Sequence, residues 1–169
     1  GVNDVIRAIV LSLHHHYEVK TVFGFRYGYE GLSHRYAHRP MELTPEVVQN
    51  IHQQGGTILG SSRGPQDVVE MVDTLEVMNI RILFTIGGDG TMRGAGAIWD
   101  EIRRRGLDIS VVGIPKTIDN DIPFVRRTFG FDTAVSIATD SINAGQVEAW
   151  GAPNGIGIVK LMGRYSGYI

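Results

Sequence analysis

The stretch RILFTIGGDGT, Arg81 to Thr91, decides how this chain is read. Arg81–Ile86 is a short apolar run with β-branched and aromatic members, which predicts a buried strand. Glycines follow at once, and then the amphipathic segment Met92–Arg105, a helix that Gly106 is suited to stop. A second apolar run, Ile109–Ile114, predicts another buried strand and ends on a second unusual turn, PKTIDND, Pro115–Asp121. Strand, turn, helix, strand at this short spacing is a βαβ unit, and βαβ units build parallel sheets.

The pattern extends in both directions. Asn3 is a plausible cap for a helix reaching about Leu13, with Val5, Ile6, Ile9, Val10 and Leu13 on one face. Val19–Phe25 predicts a strand, and Gly28–Leu43 a polar, aromatic loop with basic residues. Thr44-Pro45 opens a short helix by cap and N1 proline, ending at Gly55-Gly56. Thr57–Leu59 predicts a short strand before the turn Gly60–Gly64. Pro65–Met78 predicts a helix with Val68, Met71, Val72 and Leu75 at helical spacing. Asp132–Gln146 reads as a helix and Ile156–Leu161 as a last strand. The expected fold class is α/β, a Rossmann-like parallel sheet sandwiched by helices. Gly1-Val2-Asn3 reads as the tail of a turn, and Tyr165–Ile169 stops where an element should begin, so the expectation is a piece of something longer.

Composition narrows the function. A chain of 169 residues with 43% hydrophobic content can bury a real core. A formal net charge of −2 offers no electrostatic reason for nucleic acid or an anionic membrane as partner. The absence of cysteine excludes disulfides and thiolate metal sites and favours a reducing compartment. No apolar run is long enough to span a bilayer. His14–His16 sit near a helix end, where adjacent residues do not share one face, so a solvated end is expected rather than a metal site.

In open α/β sheets, ligands bind beyond the carboxyl ends of the strands. Glycines in Gly87–Thr91 allow close backbone approach and positive φ, and the helix that follows offers N–H groups and a positive dipole end to phosphate. Asp89 makes sense there as a ligand for magnesium (Mg2+), which then neutralises a nucleotide; a plain glycine turn with a capping aspartate is the alternative. In Lys116–Asp121, two aspartates and an asparagine crowd a strand end and are costly to pack unless they bind something. Asp119 is the candidate general base of an in-line phosphoryl transfer. Asp121 positions metal or orients Asp119, Thr117 offers a hydroxyl to phosphate or substrate, and Lys116 offers charge to the transferring group. An Asx-rich turn is the alternative there. Arg164, in Met162-Gly163-Arg164, suits a phosphate or a phosphosugar, though alone it reads as a surface arginine. Arg63 and Gly64 form a further turn, suited to donor phosphates and to a flat base or ribose. Arg103–Arg105 reads as a solvated helix end. Arg126-Arg127 can reach a substrate phosphate or stand in solvent.

GGDGT, PKTIDND and MGR, in this order, resemble the 6-phosphofructokinases over essentially the whole chain. GVNDVIR looks like the helix after that family's first glycine-rich loop, and GSSRGP like its nucleotide-side turn. GGDGT also occurs in NAD kinases and diacylglycerol kinases, which lack the other two motifs. The resemblance implies a truncated phosphofructokinase-type fold, with residues 1–169 as a partial nucleotide-binding and catalytic domain lacking a first strand and a C-terminal half. It implies transfer of a phosphoryl group from ATP to the 1-hydroxyl of fructose 6-phosphate, in a cytoplasmic homo-oligomer. Asp119 matches the proton acceptor, with Lys116 and Asp121 in the catalytic turn. Thr117, Ile118, Met162, Gly163 and Arg164 match substrate contacts. Arg63, Gly64, Gly88, Asp89, Gly90 and Thr91 match nucleotide contacts, with Asp89 the Mg2+ ligand. Pyrophosphate-dependent relatives carry aspartate where this chain has Gly90, which favours ATP. Lys116 pulls towards pyrophosphate, yet an ATP-using branch combines GGDG with PKTIDND. The alternatives are a pyrophosphate-dependent phosphotransferase and a non-catalytic phosphosugar-binding subunit. Bacterial members place an arginine from a neighbouring subunit near the position of Gly155; this chain lacks it, so the resemblance does not carry over that inter-subunit phosphate contact.

Overall fold

The structure is a computed structural model and describes residues 1–163 and 165–169. Its elements are helix α1 (Val2–Tyr17), strands β1 (Phe23–Gly24) and β2 (Met41–Glu42), helices α2 (Pro45–Val48) and α3 (Val68–Val77), strand β3 (Ile82–Gly87), helix α4 (Asp89–Arg105), strand β4 (Ser110–Pro115) and helix α5 (Phe131–Trp150). The chain forms two compact units, one of Gly1–Ile86 with Gly90–Ile114 and the other of Gly87–Asp89 with Pro115–Ile169.

The first unit is layered about β3. Alternate residues of a strand face opposite sides of its sheet. Leu83 packs with Met71, Val72 and Leu75 of α3 and Ile98 and Ile102 of α4. Ile86, of opposite parity, packs in a second cluster with Ile6 and Val10 of α1 and Val48 of α2. Helices thus cover both faces of the strand, as expected of an α/β sheet. β4 lies beside β3. Ser110 N–H donates to the Arg81 carbonyl at 2.9 Å and Lys116 N–H to the Gly87 carbonyl at 2.7 Å. The partners advance together along both strands, so the pair is parallel.

Local chemistry sets the helix ends. Asp67 accepts from the N–H groups of Val69 and Glu70, so α3 starts at Val68 rather than Pro65. Thr44 accepts from Val47 N–H and caps α2 as anticipated. α4 ends at Gly106, whose φ of 68° suits glycine. Asn3 does not cap α1. It is buried, its amide donating to the Gln54 carbonyl at 3.0 Å and its oxygen accepting from Ile58 N–H at 2.9 Å. That bond, with Leu59 N–H on the Thr57 hydroxyl, occupies N–H groups a ladder would need, so Thr57–Leu59 is a turn and not a strand.

Other expectations change as well. The strand placed at Val19–Phe25 is only β1, paired antiparallel to β2 inside the expected loop. β4 is largely exposed rather than buried, Val112 at 40%. Ile156–Leu161 is not a strand. A Cβ on Gly155 would stand 2.1 Å from the Ala149 carbonyl, and one on Gly157 2.5 Å from that of Gly145, so these glycines lay the segment against α5. The same contact shows why arginine does not fit at Gly155. Arg105 is no solvated end: it binds Asp73 at 2.6 Å, Glu101 at 2.6 Å and the Val69 carbonyl at 3.1 Å, tying α4 to α3. Among the described residues no helix is long and apolar enough to cross a membrane.

Candidate active site

The second unit holds Gly87–Asp89 and the whole of the turn Lys116–Asp121. Gly87 and Gly88 lie beside Lys116, whose N–H reaches the Gly87 carbonyl, and a Cβ on Gly88 would meet the Lys116 carbonyl at an ordinary 3.6 Å. Only Gly88 separates β3 from α4, so Asp89, Gly90 and Thr91 belong to the first helical turn rather than to a loop. None of Gly87, Gly88 and Gly90 has positive φ. The expected left-handed glycines are absent here, and what Gly88 and Gly90 supply is space. The first N–H groups of a helix have no intrahelical acceptor and carry its positive dipole end, so this turn suits phosphate oxygens.

The turn after β4 is held from within. The Thr117 hydroxyl donates to Asp121 Oδ1 at 3.2 Å and accepts from Asp119 N–H at 3.1 Å. Its proton is therefore engaged inside the turn, rather than offered outward as the sequence suggested. Among the described residues, the Thr117 hydroxyl is the group that links Asp121 to Asp119. Lys116, Ile118 and Asp121 are exposed, whereas Asp119 is half-buried. Asp119 Oδ1 is buried and accepts no hydrogen bond from the described residues. A buried carboxylate oxygen without a partner is costly. It fits a hydroxyl donor brought by a substrate.

Beside this turn an open cleft of about 530 Å³ is lined by Asn120, Asp121, Ile122, Arg126, Tyr165 and Tyr168 among others. The structure separates the two neighbouring arginines. Arg126 faces the cleft, while Arg127 pairs with Asp132 at 3.3 Å. Met162 is exposed; Gly163 is buried at φ 125°, its carbonyl accepting the Ser166 N–H and hydroxyl. Arg164 lies outside the described residues.

In the first unit, a Cβ on Gly90 would meet only Arg93 Nη2, at 3.8 Å. The Thr91 carbonyl accepts the Tyr29 hydroxyl at 2.7 Å. Burial pushes the Tyr29 phenol up to about 12, against the weaker opposite pull of the Thr85 hydroxyl. Gly94 is small by necessity, since a Cβ would stand 2.5 Å from the Tyr29 ring. Tyr29 carries no sequence signal for this, because its partner is a backbone atom 62 residues away. Arg63 and Gly64 are exposed on a turn that the Ser62 hydroxyl ties to the Tyr27 carbonyl at 2.5 Å. Gly64 adopts φ 105°, and nothing stands within 4 Å of a Cβ there.

No group of three or more His, Asp or Glu able to hold a metal is gathered among the described residues, at His14–His16 or elsewhere. Asp89 is an exposed carboxylate in the first turn of α4. One carboxylate completed by substrate phosphates and water is the usual ligand set for Mg2+, so the residues fit that ion.

A family model described as Phosphofructokinase matches residues 1–169. Over 169 residues the chain is 60% identical to the ATP-dependent 6-phosphofructokinase of Trypanosoma brucei brucei, covering 100% of this chain and 35% of that protein. It is 57% identical, with the same coverage, to the enzyme of the same name from Trypanosoma cruzi. The chain thus spans about a third of the length of the curated relatives it matches. The crystal structure of a pyrophosphate-dependent phosphofructokinase from Marinobacter aquaeolei shares its fold, with a TM-score of 0.76 at 23% identity, covering 88% of this chain and 38% of that one.

Proposed function

This chain belongs to the phosphofructokinase family, and we propose that it is the partial nucleotide-binding and catalytic domain of a longer ATP-dependent 6-phosphofructokinase. The reaction transfers the terminal phosphoryl group of ATP to the 1-hydroxyl of fructose 6-phosphate, giving fructose 1,6-bisphosphate. The observation that carries this reading is the buried, unpartnered Asp119 Oδ1 in a turn held beside Gly87 and Gly88. Asp119 accepts the hydroxyl proton while the O–P bond to the sugar forms and the O–P bond to ADP breaks. The first turn of α4 holds the donor's phosphates, with Arg63 and Gly64 on the nucleotide. Lys116 faces the charge that develops on the transferring group. Ile118, Met162, Gly163 and Arg164 contact the sugar phosphate, joined by Arg126 in the cleft. Mg2+ bound through Asp89 and the phosphates supplies charge neutralisation when present.

Gly90 supports ATP as donor, since it leaves open the space that an aspartate would fill with charge. The exposed Lys116 is the one feature favouring pyrophosphate. We place the full-length protein in the cytoplasm as a homo-oligomer. The test is full-length polypeptide with fructose 6-phosphate, Mg2+ and either donor, read as fructose 1,6-bisphosphate. ATP supports turnover, and Asp119→Asn lowers kcat by about 10²–10⁴. No product from either donor, or an Asp119→Asn variant as fast as the parent, sinks the catalytic reading.

A further inference from the structure

Asp119 lies between two residues that a later segment grips. Thr128 is buried, 4% exposed, and directs its N–H and its hydroxyl at the catalytic turn. Its N–H donates to Asn120 Oδ1 at 2.9 Å, and its hydroxyl donates to the Thr117 carbonyl. The Asn120 amide returns a bond to the Arg126 carbonyl at 3.4 Å. Asn120 itself is left-handed, with φ 52°, a conformation asparagine tolerates better than most side chains. The turn is therefore tied twice. From within, the Thr117 hydroxyl joins Asp119 N–H to Asp121. From without, Thr128 joins the residue before Ile118 to the residue after Asp119.

We propose that Thr128 and Asn120 are positioning residues of the transfer reaction, holding the backbone on both sides of Asp119 so that its buried oxygen stays aimed at the acceptor hydroxyl. Neither touches a reacting atom. Among the described residues no side chain donates a hydrogen bond to Asp119 Oδ1, so none of them orients that oxygen directly. Its direction depends on the turn's backbone, and two of the bonds fixing that backbone converge on one threonine. Misplacing a reacting group by about 1 Å costs on the order of 10²-fold in rate. A loosened turn lowers turnover more than it lowers substrate binding.

This inference rests on Asp119 being the base. The full-length protein is assayed first as the parent and as Asp119→Asn, and only the pair of results above establishes that premise. Thr128→Val then removes the hydroxyl at nearly constant shape, and Thr128→Ser restores it. The expected outcome is a fall in kcat of roughly 10- to 100-fold for Thr128→Val, on the scale of such a misplacement. KM for ATP and for fructose 6-phosphate stays within about twofold, and Thr128→Ser recovers most of kcat. All variants are compared well below their thermal midpoints. A merely structural threonine would lower the midpoint and leave kcat per folded molecule unchanged. If Thr128→Val does not fold, Asn120→Gly decides, because glycine keeps the left-handed backbone while deleting the acceptor, and the same drop in kcat is expected. An unchanged kcat in the variant that folds overturns the proposal, as does a Thr128→Ser enzyme as slow as Thr128→Val.

Discussion

Replacing Gly90 by aspartate isolates the choice of phosphoryl donor from the stability of the fold. Position 90 is the second residue of α4, and its φ is not one reserved for glycine. A Cβ there meets only Arg93 Nη2, at an ordinary 3.8 Å. The Cβ therefore enters without displacing protein. Aspartate is also a better helix residue than glycine, and a carboxylate in the first turn gains about 0.3–1 kcal/mol from the dipole. Stability should stay level or rise slightly. The effect on ATP has the opposite sign. On the proposed reading the α-phosphate lies over this residue, and a carboxylate about 5 Å from a phosphate charge is repelled by roughly 3 kcal/mol at an effective dielectric constant near 20. The neighbouring Arg93 guanidinium offsets part of this, leaving about 2 kcal/mol, on the order of 30-fold in kcat/KM. Pyrophosphate has no nucleoside-linked phosphate to repel and is spared. The assay is the initial rate of full-length Gly90→Asp with each donor and Mg2+, beside its thermal midpoint. An ATP kcat/KM within twofold of the parent at an unchanged midpoint refutes the reasoning.

Two further predictions concern groups whose ionisation the fold alters. Tyr29 ionises only near pH 12, so the stability it confers is present below its ordinary value near 10 and is lost as pH rises towards 12. In an alkaline titration followed by phenolate absorbance, a tyrosine step should appear late, and Tyr29→Phe should remove that step; a late step unchanged by the substitution contradicts the assignment. Glu101 is held near 2 by hydrogen bonds from Arg104 and Arg105, well below its ordinary 4.5. A depressed carboxylate stabilises the fold above its unfolded value and loses that contribution as pH falls from about 4.5 to about 2. Glu101→Gln should therefore flatten the fall in urea midpoint across this acid window, and an equal fall in both proteins would show that Glu101 does not cause it.

Much of the architecture was legible because it is local. The apolar period of α3, the Thr44-Pro45 start of α2 and the Gly106 stop of α4 each depend on residues within a turn or two of one another. What was misread depends on distant partners. Asn3 has the composition of a cap, yet its side chain binds residues more than 50 positions away. Ile156–Leu161 has the composition of a strand, yet Gly155 and Gly157 lay it against the backbone of α5. Arg105 reads as solvated until α3 brings Asp73 to it.

The same division runs through the candidate site. Sequence alone determined which residue types stand at two strand ends, and so the class of chemistry, because glycine spacing, a helix start and clustered aspartates are properties of contiguous residues. Only the tertiary structure decided which groups remain available. It turned the Thr117 hydroxyl inward, left Asp119 Oδ1 buried without a partner, set Arg126 but not Arg127 at the cleft, and recruited Thr128 and Tyr29. The physical reason is that hydrogen-bond satisfaction and burial are settled between segments far apart in the chain. No reading of one segment contains the donors and acceptors that another brings to it.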